Sequence, residues 1–381
     1  MQDRAGWAVR YMLVLAGVIA AGIGAGMARP AITYYLRYSL GATLLSATLL
    51  TSSFMLGRTL GSMASGLLGL RGSGLRHMLA GLGLLLAGVI VALGIGGAGA
   101  PGEVHVFMGL WGLLAGLAWP TVQVGIADLR PGASNTLLSI YFAAGTLGIS
   151  TGNFLFGTLS LSYRDLIRAG GTLVALSSLL VAAPLAGVRR SQTARGLPRG
   201  SGGAGVFLWI LLVAFGLGFL SGMLRDYFYL YAREGLGLSR QGLGGVLGVT
   251  GLLGVVFGIA AGALADRLGV LRTLPVLVAL AGLGALLLSL PSLAICGYVL
   301  AAISARASLP QTRNASLLPG GRGAALVGLS NSMSSVGMMS GPIVAGLLGP
   351  RSGLGTPYLV AGVLLLVSLL LLPVSTGRHG G

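Results

Sequence analysis

Apolar stretches of roughly 20 residues follow one another along almost the whole chain, and at 1.5 Å of rise per residue each can cross about 30 Å of hydrocarbon. Short turns rich in arginine, glycine and proline separate them. Only 8% of the 381 residues are charged, against 55% hydrophobic, whereas a soluble chain carries about 25% charged residues. Too few charges remain to cover a water-facing surface. The expected fold class is therefore all-α, a polytopic membrane protein whose main partner is the lipid bilayer.

The pattern gives twelve candidate transmembrane helices, at about 8–36, 42–69, 77–98, 103–128, 134–159 and 166–187, then 205–232, 241–265, 272–290, 293–317, 323–348 and 356–375. Between the sixth and seventh lies VRRSQTARGLPRGSGGAG, without apolar periodicity, which has the composition of a flexible linker. The expected organisation is a six-helix bundle over 1–187, a cytoplasmic linker over 188–204 and a second six-helix bundle over 205–381. Glycine makes up 68 residues, and small residues let membrane helices approach closely. GIGAG at 22–26 and GLLGVVFGIAAG at 251–262 are read in that sense.

A formal charge of +17 would suggest nucleic acid in a soluble protein. Here the arginines stand between apolar segments instead of forming a basic face, so no nucleic acid is expected. With the N-terminus in the cytoplasm, 14 arginines fall on the inner side and six outside, as the positive-inside rule requires. That orientation puts both termini and the linker in the cytoplasm, in a multi-pass plasma-membrane protein expected to be a monomer.

Chemistry of the catalytic kind is not written in the chain. Cys296 is the one cysteine, and His77, His105 and His379 fall at predicted helix ends or in the tail. No His/Cys/carboxylate cluster has metal-ligand spacing. There is no nucleophile–base pattern and no phosphate loop, so neither an enzyme nor a cofactor is expected.

Sliding the sequence by 196 residues lays Arg29–Arg76 on Arg225–Arg272 without a gap, with 12 of 48 positions identical. Leucine, alanine and glycine matches are cheap in this composition; those of Arg29, Tyr35, Arg37, Arg71 and Arg76 are not. The shift pairs GLLGLRGSGLR at 66–76 with GALADRLGVLR at 262–272, each following the second helix of its half. With this motif the chain resembles the major facilitator superfamily, whose signature G-x-x-x-D-R-x-G-x-x-R follows helices two and eight. Gly262, Asp266, Arg267, Gly269 and Arg272 match it fully. Gly66, Arg71 and Arg76 match in the first half, with Leu70 and Ser73 departing from it.

The resemblance implies two pseudo-symmetric bundles working by alternating access, with a cytoplasmic gate built from these loops. Asp266 would cap the N-terminus of the fifth helix near Ser134 and Asn135, because a carboxylate is favoured at the positive end of a helix dipole. Arg71 or Arg76 would meet Asp128, with Arg267 and Arg272 completing the gate.

Ionisable groups within membrane helices are costly and mark function by default. Arg58 and Arg306 fall deep in helices two and ten; Arg29 and Arg225 occupy repeat-equivalent places in helices one and seven. Asp226 is the only carboxylate at this depth and the only candidate for ion coupling. Since arginine cannot deprotonate to escape burial, the surplus of positive charge points to a small organic anion as cargo, with a guanidinium fork suiting carboxylate or phosphate. Gln123 and Gln311 offer further polar contacts. The pairing of arginines on helices one and seven also resembles the organophosphate–phosphate antiporters, which implies a phosphate-holding role for Arg29 and Arg225. Neither helix one nor helix four carries a deep carboxylate, so anion exchange or uniport fits better than proton symport.

Other roles stay open for these residues. Arg29 can snorkel to the interface beside Pro30, and Arg225 can pair locally. Tyr34, Tyr35, Tyr227, Tyr229 and Tyr231 are expected mainly in an aromatic interfacial belt. The alternative function is efflux of lipophilic compounds, because GMMSGPIVAG at 337–346 resembles the G-x-x-x-G-P pattern of drug antiporters.

Overall fold

The structure is a computed structural model that describes residues 3–69, 73–129, 134–185, 204–315 and 323–371. Its helices, in chain order, are α1 (Asp3–Tyr34), α2 (Leu44–Gly69), α3 (Ser73–Val89), α4 (Pro101–Leu129), α5 (Ser134–Thr158) and α6 (Tyr163–Leu185). They are followed by α7 (Ala204–Met223), α8 (Arg240–Leu268), α9 (Val270–Leu288), α10 (Ala294–Ala315), α11 (Gly323–Ser352) and α12 (Thr356–Leu370). There is no strand among the described residues, and nine helical segments among them are long and apolar enough to cross a membrane. In hydrocarbon the backbone must satisfy its own hydrogen bonds, which helices do within each segment. Leu93, Leu179, Leu208, Val256 and Ile259 are each exposed by more than 60%, the lipid-facing surface of an apolar bundle. The predicted linker falls largely outside the described residues.

The described chain forms two compact units. One holds α1–α6 together with 238–252; the other holds α7 through residue 237 and everything from 253 onward. In the first unit α1 packs between α5 and α6, α2 lies along α4, and α3 lies against α4 and α6. In the second unit α7 packs on α11 and α12, and α9 on α10 and α12.

Glycine explains how closely these helices run. Gly22 and Gly26 of the GIGAG motif face α5 and Gly24 faces α6, and in each case an added methyl would meet backbone of the facing helix. Gly57 and Gly61 of α2 meet the backbone of α4 at Gly109 and Leu113 in the same manner. The second glycine-rich stretch behaves differently. Only Gly251 would be crowded, by the Ser150 side chain; Gly254 would make ordinary contact, and Gly258 and Gly262 face open space. Glycine abundance over 251–262 thus does not mark a continuous packing seam.

Buried aromatic groups tie the helices together through carbonyls. Tyr11 Oη donates to the Leu137 carbonyl at 2.5 Å, Trp209 Nε1 to Ser368 at 2.9 Å and Tyr227 Oη to Leu354 at 2.7 Å. The five tyrosines expected in an interfacial belt are instead buried. Tyr35 and Tyr231 show why: their hydroxyls donate to the carbonyls of Ala98 and Leu288, across their own units. A buried phenol needs such a partner, and a helix end supplies it.

The repeat seen in the sequence is also one of conformation. α1 ends in a π-helical turn at Tyr35–Ser39, and the stretch after α7 ends in another at Tyr231–Gly235, 196 residues later. Each is closed by a backbone bond, Leu40 to Tyr35 and Leu236 to Tyr231, both at 3.0 Å. Each is followed by a glycine, Gly41 or Gly237, with φ of +67°, a left-handed value that costs glycine little. The halves differ one turn earlier. α1 runs without interruption through Arg29 and Pro30, whereas α7 stops at Met223 and restarts as the short segment Asp226–Leu230.

Candidate functional site

In the first unit the glycine-paved contact of α2 with α4 fixes the backbone of Arg58 beside Gly112 and Gly116. The side chain itself is exposed. Its guanidinium lies within electrostatic reach of Tyr141 on α5, whose hydroxyl hydrogen-bonds the Gln123 side chain of α4. The Trp119 ring stands 6.3 Å from that of Tyr141. Two residues that the sequence offered separately, Arg58 and Gln123, are therefore one cluster with Tyr141. Among the described residues Arg58 has no carboxylate partner.

Arg29 has a different setting. It is buried, its Nη2 donates to Thr51 Oγ1 at 2.8 Å, and its guanidinium lies 5.0 Å from the centre of the Phe54 ring. Its charge is held between α1 and α2 of its own unit, by a hydroxyl and an aromatic face.

In the second unit Arg306 is exposed on α10. Its guanidinium runs alongside Gly254 of α8, where an added methyl would sit 3.5 Å from Nη1. The 196-residue shift carries Arg58 onto Gly254. Arg306 thus lies beside the backbone position that the shift pairs with Arg58. Arg306 and Arg225 both lie within electrostatic reach of Tyr298, as does Tyr229. Phe228 stacks on the Tyr298 ring with centroids 3.6 Å apart. The break after α7 brings Arg225 to this cluster, and interrupted helices in transporters present backbone and charge at ligand sites. Asp226, the first residue after the break, is fully buried. Gln311 is 4% exposed, and its Oε1 has no hydrogen-bond partner among the described residues. A buried acceptor without a partner costs about 1–3 kcal/mol, so it calls for an explanation.

Asp266, Arg267 and Arg272 are exposed at the turn between α8 and α9, where Gly269 adopts φ of +88°. Asp128 is half-buried near the end of α4. Arg71 lies outside the described residues, as does the side chain of Arg76.

Sequence reasoning passed over three residues. Tyr298 stands in the apolar stretch AICGYVLAAI, which carries no local signal of the arginines around it. His105 was placed at a helix end, yet its Nε2 and Nδ1 lie 3.1 and 3.0 Å from Ser46 and Ser53 Oγ, bridging α4 to α2. Arg240 was counted only as a loop charge.

The sequence profile described as Major Facilitator Superfamily matches residues 14–310. No curated protein was found to match the chain. Among solved structures, a bacterial homologue of the human lysosomal transporter Spinster, inward-facing and unoccupied, superposes with a TM-score of 0.74 at 15% identity, covering 95% of this chain and 96% of that one. The Escherichia coli xylose transporter XylE, inward open, gives 0.73 at 15% identity, with 98% of each chain covered. The human organic anion transporter MFSD10 gives 0.65 at 16% identity, covering 98% of this chain and all of that one. At such identities the likeness is one of fold, and it agrees with the profile, the helical architecture and the repeat: the chain belongs to the major facilitator superfamily of membrane transporters.

Proposed function

We propose that the chain is a secondary transporter working by alternating access on a small organic anion with a carboxylate or phosphate-ester group. What carries the proposal is the pair Arg58 and Arg306, two exposed guanidinium groups, one on α2 and one on α10, neither with a carboxylate partner among the described residues. Fixed positive charge in a membrane helix is expensive, and a bound anion offsets it. Tyr141 with Gln123 in one unit, and Tyr298 with Arg225 in the other, supply neutral and cationic donors beside each fork. Gln311 remains a candidate ligand through its unpartnered oxygen. Arg29, already matched within its unit, holds α1 to α2 in this account. Asp226 is the candidate for coupling, and exchange or uniport fits the single deep carboxylate better than proton symport. Efflux of lipophilic compounds is less well supported, because Gly337 and Gly341 of the motif behind it pack on the α7 backbone at Phe215 and Phe219.

A thermal-stability screen of purified protein tests the cargo. Dicarboxylates or phosphate esters are expected to stabilise the parent protein, by about 2.7 kcal/mol at a hundred times the dissociation constant. The shift should vanish in Arg58→Gln and Arg306→Gln. Stabilisation by neutral lipophiles alone, retained in both variants, would overturn the anionic cargo.

The same proposal places two bundles, at 1–187 and 205–381, around a cytoplasmic linker, with both termini in the cytoplasm of a monomeric plasma-membrane protein. Asp266, with Arg267, Arg272, Arg71, Arg76 and Asp128, forms its cytoplasmic gate. Asp266→Ala is expected to slow exchange about tenfold in proteoliposomes, losing about 1.4 kcal/mol of gate stabilisation. Its melting temperature should stay near that of the parent, since the carboxylate is exposed. Unchanged rates would remove Asp266 from the gate.

A further inference from the structure

The turn from α5 into α6 and the π turn after α1 border an open cavity of about 460 Å³. That volume falls within the roughly 300–1,000 Å³ of small-ligand sites. Its lining residues all lie in the first unit, and none takes part in the Arg58 cluster. Two of them are arginines, Arg164 and Arg240, and neither has a carboxylate partner among the described residues. Arg240 fixes the shape of the cavity. Its Nε donates to the Phe156 carbonyl at 2.5 Å, its Nη2 to Leu159 at 2.5 Å and its Nη1 to Leu161 at 2.8 Å. The end of α5 leaves its last carbonyls without partners inside the helix, so this guanidinium pins the turn that follows. Its three nitrogens are committed there, and what it adds to the cavity is positive potential.

Arg164 is held differently. Its Nε donates to Tyr35 Oη at 2.9 Å, and its guanidinium lies 5.1 Å from the centre of the Tyr35 ring. Tyr35 Oη is itself anchored to the Ala98 carbonyl, so the phenol is fully used. Nη1 and Nη2 of Arg164, the two nitrogens of a bidentate fork, have no partner among the described residues. A guanidinium already fixed at Nε and over a ring loses little freedom when it closes on an anion. The hydroxyls of Ser39 and Tyr163 line the same cavity and also have no hydrogen-bond partner among the described residues. Asp165 stands next in sequence, but its carboxylate accepts from Ser162 Oγ at 2.6 Å within the cap of α6. The repeat shows that the π turn does not require this fork. There Tyr231 donates to the Leu288 carbonyl as Tyr35 does to Ala98. Yet no arginine donates to its hydroxyl among the described residues, and Gly235 stands in the place of Ser39.

Leu40 and Leu161 give the cavity an apolar wall beside these donors. A phosphate monoester matches that pairing, because its oxygens accept several hydrogen bonds while its organic part leaves water. We infer that this cavity is an accessory binding site for a phosphate-ester group, held by Arg164 with Ser39 and Tyr163. The site does not rest on the cargo assigned to Arg58 and Arg306. The group belongs either to a soluble ester or to a lipid headgroup, which share this chemistry. The test uses full-length protein in detergent carrying Arg58→Gln and Arg306→Gln, which takes the other anion cluster out of the measurement. Phenyl phosphate, titrated by calorimetry, is expected to bind. Adding Arg164→Gln should weaken it at least about tenfold, and Arg164→Lys, which keeps the charge but not the fork, should fall between. Ser39→Ala, an exposed change, should weaken it about threefold and serves if Arg164→Gln does not fold. Arg168→Gln, one turn along α6 and outside the lining, should leave the affinity unchanged. Native mass spectrometry after exposure to equal amounts of phosphatidylglycerol and phosphatidylcholine distinguishes the sources. Phosphatidylglycerol retained only when Arg164 is present identifies a headgroup, and equal retention with phenyl phosphate binding identifies a soluble ester. An arginine with a purely structural role would lower the melting temperature and leave the affinity of the folded protein unchanged, and that result would overturn the site. Equal weakening by Arg168→Gln would reduce it to a general field and overturn it too. So would the absence of both phenyl phosphate binding and Arg164-dependent lipid retention.

Discussion

Replacing Arg58 or Arg306 by glutamine is expected to reduce exchange of the stabilising anion at least tenfold, and replacing both to abolish it. Hydrogen bonds to a charged group contribute about 1.5–3 kcal/mol each, and every 1.4 kcal/mol is about tenfold in affinity. Both side chains are exposed on their helices, so neither variant loses packing, and melting temperatures without ligand should stay close to the parent value. That combination separates a ligand from a structural group. The comparison with Arg29→Gln sharpens it: Arg29 bonds Thr51 and lies over Phe54, so its loss should lower the melting temperature before it alters selectivity. The measurement is counterflow in proteoliposomes beside a thermal melt of the same preparations. Full exchange by Arg58→Gln and Arg306→Gln would remove the anion site.

The second large effect concerns the α2–α4 contact. Gly57→Val is expected to abolish recovery of folded protein from membranes, whereas Leu56→Val, one residue away and exposed, should be recovered like the parent. At Gly57 even a first side-chain carbon would collide with the Gly109 carbonyl and approach the Leu113 amide to 2.9 Å. Backbone cannot yield as a flexible side chain does, and overpacking typically costs 1–3 kcal/mol or more. The same contact carries Arg58, so partial rescue by low-temperature expression should still leave anion stabilisation impaired. Yield after size-exclusion chromatography reports the first effect, and the ligand screen the second. Normal yield would show that α2 can move off α4 at no cost.

Much of the architecture was legible because lipid imposes it. Long apolar runs and arginine-bearing turns locate most helix ends to within a few residues, and the 196-residue shift pairs the two π turns and the left-handed glycines that follow them. The interruption after Met223 was not legible. Neither glycine nor proline stands at Leu224 or Arg225, while Pro30 lies inside an intact helix. Membrane helices tolerate proline when neighbouring groups take up the freed carbonyl, and such tertiary compensation leaves no mark in a local window. The tyrosines were misplaced for a related reason. Composition assigns them to interfaces, but whether a phenol meets a headgroup or a distant carbonyl depends on which turn of another helix ends beside it. The charged candidates divided likewise: depth in a helix singled out Arg58 and Arg306 and the repeat singled out Arg29, and only the facing residues show Arg29 bonded to Thr51 and the other two without a carboxylate partner among the described residues.

α8 has one further property. It runs 29 residues from Arg240 to Leu268 with no proline inside, and its first half is grouped with one unit while its second half is grouped with the other. Arg240 and Asp266 therefore stand at opposite ends of one helix, about 39 Å apart at 1.5 Å per residue. Charges are screened within about 8 Å at physiological salt, so a substitution at either end acts on its own surroundings and not through the field of the other.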